Sequence, residues 1–168
     1  ADDFSPEVVE ALADKGTVSI DAQGYLREVV GEEVRPVEWK DMSRVLRATG
    51  ILKLNESEMQ TVVGSNDPYE VGKKLAACGV GEVVMTLGSY GSVIYAGGKA
   101  YDIPAYKPKK LVDATGCGDT FSTGYLWCRA QGMGIEEAGK FAAAMCSLKL
   151  QHSGPFDGTI ADIEQLIG

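Results

Sequence analysis

Short β-rich runs alternate with helical patterns along most of this chain, and that alternation implies a mostly parallel sheet layered by helices. Residues 6–15 read as a helix stopping at Gly16, and 17–20 as a β-rich run that finishes at Asp21. A helical pattern over 37–49 closes on Gly50 and hands over to a buried strand at 51–54. Asn55 then offers an N-cap with Glu58 at the N3 position, so a helix starts there. Residues 68–78 form a further amphipathic helix and 82–86 a strand. Two more strands, 92–96 and 99–103, flank a Gly97-Gly98 turn. The longest helical patterns cover 117–131 and 135–150, and the last covers 159–167. No internal repeat interrupts them, so the expectation is one α/β domain over residues 1–168.

In open sheets of this kind ligands bind at the carboxyl ends of the strands. The polar candidates fall there: Asp21, Asn55, Thr86 with Gly88, and the segment 113–119.

Composition narrows the partners. A net charge of −8 with pI near 4.7 argues against nucleic acid, whose binders need a basic face. No apolar run is long enough for a transmembrane helix, so no membrane partner is expected. The first residues are acidic, carry no signal-peptide pattern and lack an initiator methionine, which suggests a trimmed or an engineered product. Cys78, Cys117, Cys128 and Cys146 form no C-x-x-C pair, the pattern of a reduced, cytoplasmic chain. With His152 as the sole histidine, neither a histidine-based triad nor a multi-histidine metal site is expected.

The segment 111–121 is where spacing bears most directly on chemistry. Gly116 and Gly118 bracket Cys117, Asp119 follows at once, and a helical pattern begins. Free N–H groups and a carboxylate then share one helix N-terminus, where the amides can hold a phosphate or a developing negative charge. Phosphoryl transfer needs little more than such donors, a metal ion and a base for the attacking hydroxyl. Asp119 is the candidate base; the other reading is a glycine-rich turn with Asp119 as its helix cap.

Other clusters also carry two readings. Asn55 and Glu58 could hold a hydrated magnesium ion beside phosphates, or form only a capping box. Thr86, Gly88 and Gly91 suit a nucleotide-handling turn, although a strand followed by glycine is a common turn. Asp21, Gln23 and Arg27 form a polar cluster in which Arg27 could meet phosphate or substrate hydroxyls; a surface loop fits as well. The chain has no G-x-x-x-x-G-K-[ST] loop and no strand-flanked G-x-G-x-x-G, which weighs against P-loop enzymes and nicotinamide oxidoreductases.

Together, Asn55-x-x-Glu58, Thr86-Leu87-Gly88 and Asp113-Ala114-Thr115-Gly116-Cys117-Gly118-Asp119 resemble, in order and separation, the ribokinase/phosphofructokinase-B family of sugar and nucleoside kinases. The last segment is similar to the family's D-T-x-G-A-G-D signature, with Ala114 in place of threonine and Cys117 in place of alanine. The resemblance implies a ribokinase-like three-layer α/β/α sandwich that uses ATP and Mg2+. It implies Asp119 as the base and Gly116, Cys117 and Gly118 as the anion hole. Asn55 and Glu58 then organise magnesium and phosphate, and Thr86, Gly88 and Gly91 belong to the ATP site. Asp113 and Thr115 stand where a monovalent cation such as K+ is held. Residues 141–150 and the turn around His152 and Gly154 resemble the adenine-side wall, with Ala143 where relatives often carry a polar residue.

The resemblance runs from about residue 17 to 155 but covers only the second half of the family pattern. Members are about twice as long, and their first half carries the β-sheet lid and most sugar contacts. The chain therefore looks like the ATP-binding, catalytic half of a kinase, with its lid and acceptor half absent and a sheet edge left for a partner or a second copy. Residues 21–27 are similar to a D-x-Q-G-x-x-R variant in inositol-kinase-like relatives, which points to Asp21 and Arg27 on a polyol acceptor. The expected function is ATP-dependent phosphorylation of a sugar, nucleoside or polyol hydroxyl; the alternative is a non-catalytic nucleotide-binding module.

Overall fold

The computed structural model describes residues 4–168. Its first elements are α1 (Pro6–Ala13), β1 (Ser19–Asp21), α2 (Gln23–Leu26), β2 (Arg27–Val30), β3 (Glu33–Pro36), α3 (Met42–Arg47), β4 (Ile51–Asn55) and α4 (Glu56–Val63). Then follow α5 (Pro68–Ala77), β5 (Glu82–Thr86), β6 (Ser92–Ala96), β7 (Lys99–Ile103), α6 (Cys117–Ala130), α7 (Ile135–Lys149) and α8 (Ile160–Ile167). One sheet has the strand order β1-β4-β5-β6-β7, and β2 and β3 form a separate antiparallel pair. Contacts group the chain into two compact units. One comprises the described residues up to Met85 with Tyr95–Ala100, the other Thr86–Ile94 with Tyr101–Gly168.

In the first unit β1 and β4 run parallel, Asp21 opposite Lys53. Ile51 to Leu54 are buried without a break, as in a strand covered on both faces. Val45 and Leu46 of α3, Met59 of α4, Val71 of α5 and Val83 to Met85 of β5 are buried with them. The helix expected over 37–49 is confined to α3. Asp41 takes a left-handed φ of 52°, which a continuing helix cannot pass through. The segment before it is committed elsewhere: the Val37 N–H bonds the Leu26 carbonyl at 2.9 Å, and Trp39 stacks on Tyr25 with ring centroids 4.6 Å apart.

The β2–β3 hairpin was not foreseen, because it lacks the alternation that marks a half-buried strand. Val29 is 73% and Val34 62% exposed, so apolar residues there face solvent.

In the second unit α6 packs on α7 and α7 on α8. A Cβ placed on Gly124 would stand 3.2 Å from the Ala142 Cα, so the glycine sets how closely α6 and α7 approach. The N-terminus of α6 and the C-terminus of α7 are thereby held in fixed register. Among the described residues no helix is long and apolar enough to cross a membrane.

Candidate functional site

In the second unit, Gly116 caps α6 in a left-handed conformation, φ 77°, which favours glycine. Nothing lies within 4 Å of the position its Cβ would take, so this helix end opens on free space. The Cys117 N–H closes a turn on the Ala114 carbonyl at 3.2 Å, and the Thr120 N–H and hydroxyl both bond the Gly116 carbonyl at 2.9 Å. The Gly118 and Asp119 N–H groups, in the first turn, have no partner within the helix and favour an anion there. The Asp119 side chain is exposed and makes no hydrogen bond or ion pair among the described residues. A cavity of about 460 Å³ lies against this turn, lined by Asp113, Gly116, Asp119, Lys149, Gly154 and Phe156 among others.

The approach to the helix is held from two sides. Asp113 Oδ1 accepts the Thr115 N–H at 2.9 Å, and the Thr115 N–H and hydroxyl hold the Asp113 carboxyl below the usual aspartate range, the Lys149 charge adding less. The Val112 N–H bonds the Leu150 carbonyl at 2.8 Å, tying the loop to the end of α7. Lys149, in the last turn of α7, donates to the Asp113 carbonyl at 3.0 Å and lies 3.5 Å from its carboxylate. Burial pushes the Cys117 thiol up, so no thiolate competes with an anion at the helix end.

Of the expected nucleotide residues, Gly154 lines the cavity, whereas His152 is exposed and not among its lining residues. Thr86 ends β5, and Gly88 opens a 3-10 turn that closes at Gly91. Gly91 has a structural reason of its own: at φ 97°, a Cβ there would stand 2.2 Å from the Ile103 carbonyl oxygen.

In the first unit Asn55 and Glu58 form a closed capping box. The Asn55 N–H and side-chain amide each donate to one Glu58 carboxylate oxygen at 2.8 Å, and the Glu58 N–H returns to Asn55 Oδ1 at 3.0 Å. No cluster of three or more His, Cys, Asp or Glu suited to a metal occurs among the described residues. With both Glu58 oxygens already accepting, this pair fits magnesium through coordinated water and not as a direct cage. Asp21 pairs with buried Lys53 at 2.8 Å and caps the Gln23 N–H at 3.0 Å, while Arg27 is exposed at the start of β2.

Sequence reasoning missed two lysines. Lys53 is a lone charge in the apolar run Ile51-Leu52-Lys53-Leu54, and Lys149 ends an alanine-rich buried helix. A single lysine on a face that must be buried was the available signal, since such a charge needs a partner.

A model of the pfkB family carbohydrate kinases matches residues 7–161. The chain is 28% identical to a nucleoside kinase of Methanocaldococcus jannaschii over 124 residues, which covers 74% of this chain and 40% of that protein. It is 33% identical to a ribokinase of Arabidopsis thaliana over 118 residues, covering 67% of this chain and 31% of the relative. Among solved structures, a pyrophosphate-dependent kinase of the ribokinase family, complexed with a pyrophosphate analogue and myo-inositol, superposes with TM-score 0.83 and 29% identity. That match covers 96% of this chain and 58% of the other. Arabidopsis thaliana ribokinase complexed with ribose and ATP gives TM-score 0.77 and 27% identity, covering 96% and 51%. The chain thus has a ribokinase-like α/β fold and spans well under two thirds of the length of these relatives.

Proposed function

The chain belongs to the pfkB family of carbohydrate kinases, and from that premise we propose that it carries the donor-binding and phosphoryl-transfer machinery of a kinase for a sugar, nucleoside or polyol hydroxyl. One observation carries the reading. An unpartnered, exposed Asp119 carboxylate stands on the same first helical turn as the free amides of the Gly116 cradle, against a cavity. In the proposed reaction Asp119 takes the proton of the acceptor hydroxyl as its oxygen attacks the terminal phosphorus. The bond from that phosphorus to the bridging oxygen breaks, and the charge on the transferring group rests on the Gly116 and Gly118 amides, whereas the Cys117 N–H, expected to join them, is taken by the Ala114 carbonyl at 3.2 Å.

ATP is the proposed donor, with Thr86, Gly88, Gly91, His152 and Gly154 on the nucleotide side. Asn55 and Glu58 are the proposed holders of hydrated magnesium, which would neutralise charge on the donor phosphates. The myo-inositol and pyrophosphate analogue bound by one solved neighbour support a polyol among the acceptors and make pyrophosphate the competing donor; Asp21 and Arg27 are the proposed acceptor contacts. Four free cysteines fit a reduced, cytoplasmic setting.

Calorimetric titration with Mg-ATP and with Mg-pyrophosphate identifies the donor, and phosphoryl transfer to myo-inositol, ribose and a nucleoside identifies the acceptor. Transfer abolished in Asp119→Asn is the expected result. Donor binding without transfer to any of the three makes the chain a nucleotide-binding module, and binding of neither donor sinks the kinase reading.

A further inference from the structure

Asp113 and Thr115 are the residues that the family resemblance assigns to a monovalent cation, yet their oxygens are not arranged for one here. The Asp113 carbonyl accepts from the Lys149 ammonium at 3.0 Å. The Asp113 Oδ1 accepts the Thr115 N–H, and its Oδ2 stands 3.5 Å from the same ammonium. The Lys149 side chain is 1% exposed and reaches this point from the last turn of α7, the helix end that favours a positive charge. An alkali cation needs several uncommitted oxygens and no adjacent positive charge, and Asp113 offers neither.

We infer that the Lys149 ammonium is the built-in cation of the 113–119 loop, replacing a dissociable alkali ion. Three features support this. The ammonium is buried and would be costly there without a function or a partner. It bonds a main-chain carbonyl as well as a carboxylate, so it orders the backbone leading to Gly116. It also lines the cavity next to Asp119, where its charge faces the place proposed for the donor phosphates. Lys149 is thus a positioning residue, and the protein should be indifferent to K+. The inference rests on the kinase reading only for what the cavity binds; the placement of the ammonium is independent of it.

The test compares thermal unfolding in KCl and in choline chloride at equal ionic strength, without ligand. The wild-type midpoint should agree between the two salts within about 1 °C, whereas Lys149→Ala, with the carbonyl and carboxylate left facing a gap, should gain a K+-specific rise of about 2–4 °C or more. A K+-specific rise in the wild type overturns the inference, and so does a folded Lys149→Ala chain that ignores K+. If that variant does not fold, a thallium(I) NMR titration of the wild type decides on its own. Broadening of the thallium resonance overturns the inference, and its absence supports it. Titration with Mg-ATP and with Mg-pyrophosphate in both salts separates the two readings: binding of neither donor in either salt defeats the kinase proposal while the melting result still judges Lys149.

Discussion

Glu58 and Asn55 hold each other through three hydrogen bonds of 2.8, 2.8 and 3.0 Å, and Glu58 is only 3% exposed. The pair is therefore structural in its own right, whatever it does for a metal. Asn55→Ala should cost about 1–2 kcal/mol, a lost cap plus a buried carboxylate short of donors, read from urea denaturation. Glu58→Gln should cost a similar amount, and if the pair also orders hydrated magnesium it should raise the Mg2+ concentration needed for half-maximal activity. An unchanged magnesium dependence would leave the box as a cap alone.

Asp119 behaves in the opposite way, because nothing among the described residues depends on it. Asp119→Asn should change stability by no more than about 1 kcal/mol, the scale of a charge at a helix N-terminus. Phosphoryl transfer should fall roughly a hundredfold to ten-thousandfold, as expected for a lost general base. Parallel melting and turnover measurements check this; an equal loss in both would mark Asp119 as a cap.

Asp113 predicts a pH dependence. Its carboxyl is held below the usual range, chiefly by Thr115. A folded-state value below that of the unfolded chain, near 3.9, stabilises the fold fully above about pH 4, and the effect fades as pH falls through the lowered value. The midpoint difference between wild type and Asp113→Asn should hold steady at neutral and mildly acidic pH and shrink only below about pH 4. A gap that closed at higher pH would contradict the assignment.

Two glycines should respond differently to alanine. At Gly116 the surroundings are open, so the penalty is that of a left-handed backbone, about 1–2 kcal/mol, and should come with weaker donor binding. At Gly91 a methyl group would sit 2.2 Å from a main-chain oxygen, which forces β7 or the turn to move. Gly91→Ala should therefore be the more destabilising of the two by denaturation, and the reverse order would refute the packing argument.

Lys53 and Asp21 form a pair in which the lysine is the deeper partner, its side chain 7% exposed against 31%. Asp21→Ala strands a buried ammonium and should cost about 1–3 kcal/mol. Lys53→Met should be milder, since an apolar chain of similar length suits that site. A double-mutant cycle in urea measures their coupling, and coupling near zero would rule the pair out as structural.

Much of the fold was legible because burial writes a period into sequence. The strands at 51–55, 82–86, 92–96 and 99–103 and the long helices α6 and α7 stand close to where their patterns place them. The Asn55–Glu58 box was legible for another reason, since all its bonds form within one turn. The exposed hairpin was not, because no buried face imposes alternation on Val29 or Val34. Nor was the shortening of α3, which depends on Trp39 meeting Tyr25, a ring fourteen residues earlier in the chain.

The sequence by itself determined that an α/β chain would present a glycine-rich helix start with a carboxylate, since both follow from neighbours in the chain. Only the tertiary structure decided what stands beside it. Lys149 lies thirty-six residues from Asp113, and the 3.0 Å bond between them exists because α6 and α7 pack closely enough to bring their opposite ends together. Local residue order carries helix ends and caps; the partner of a buried charge is set by packing, which spacing along the chain does not record.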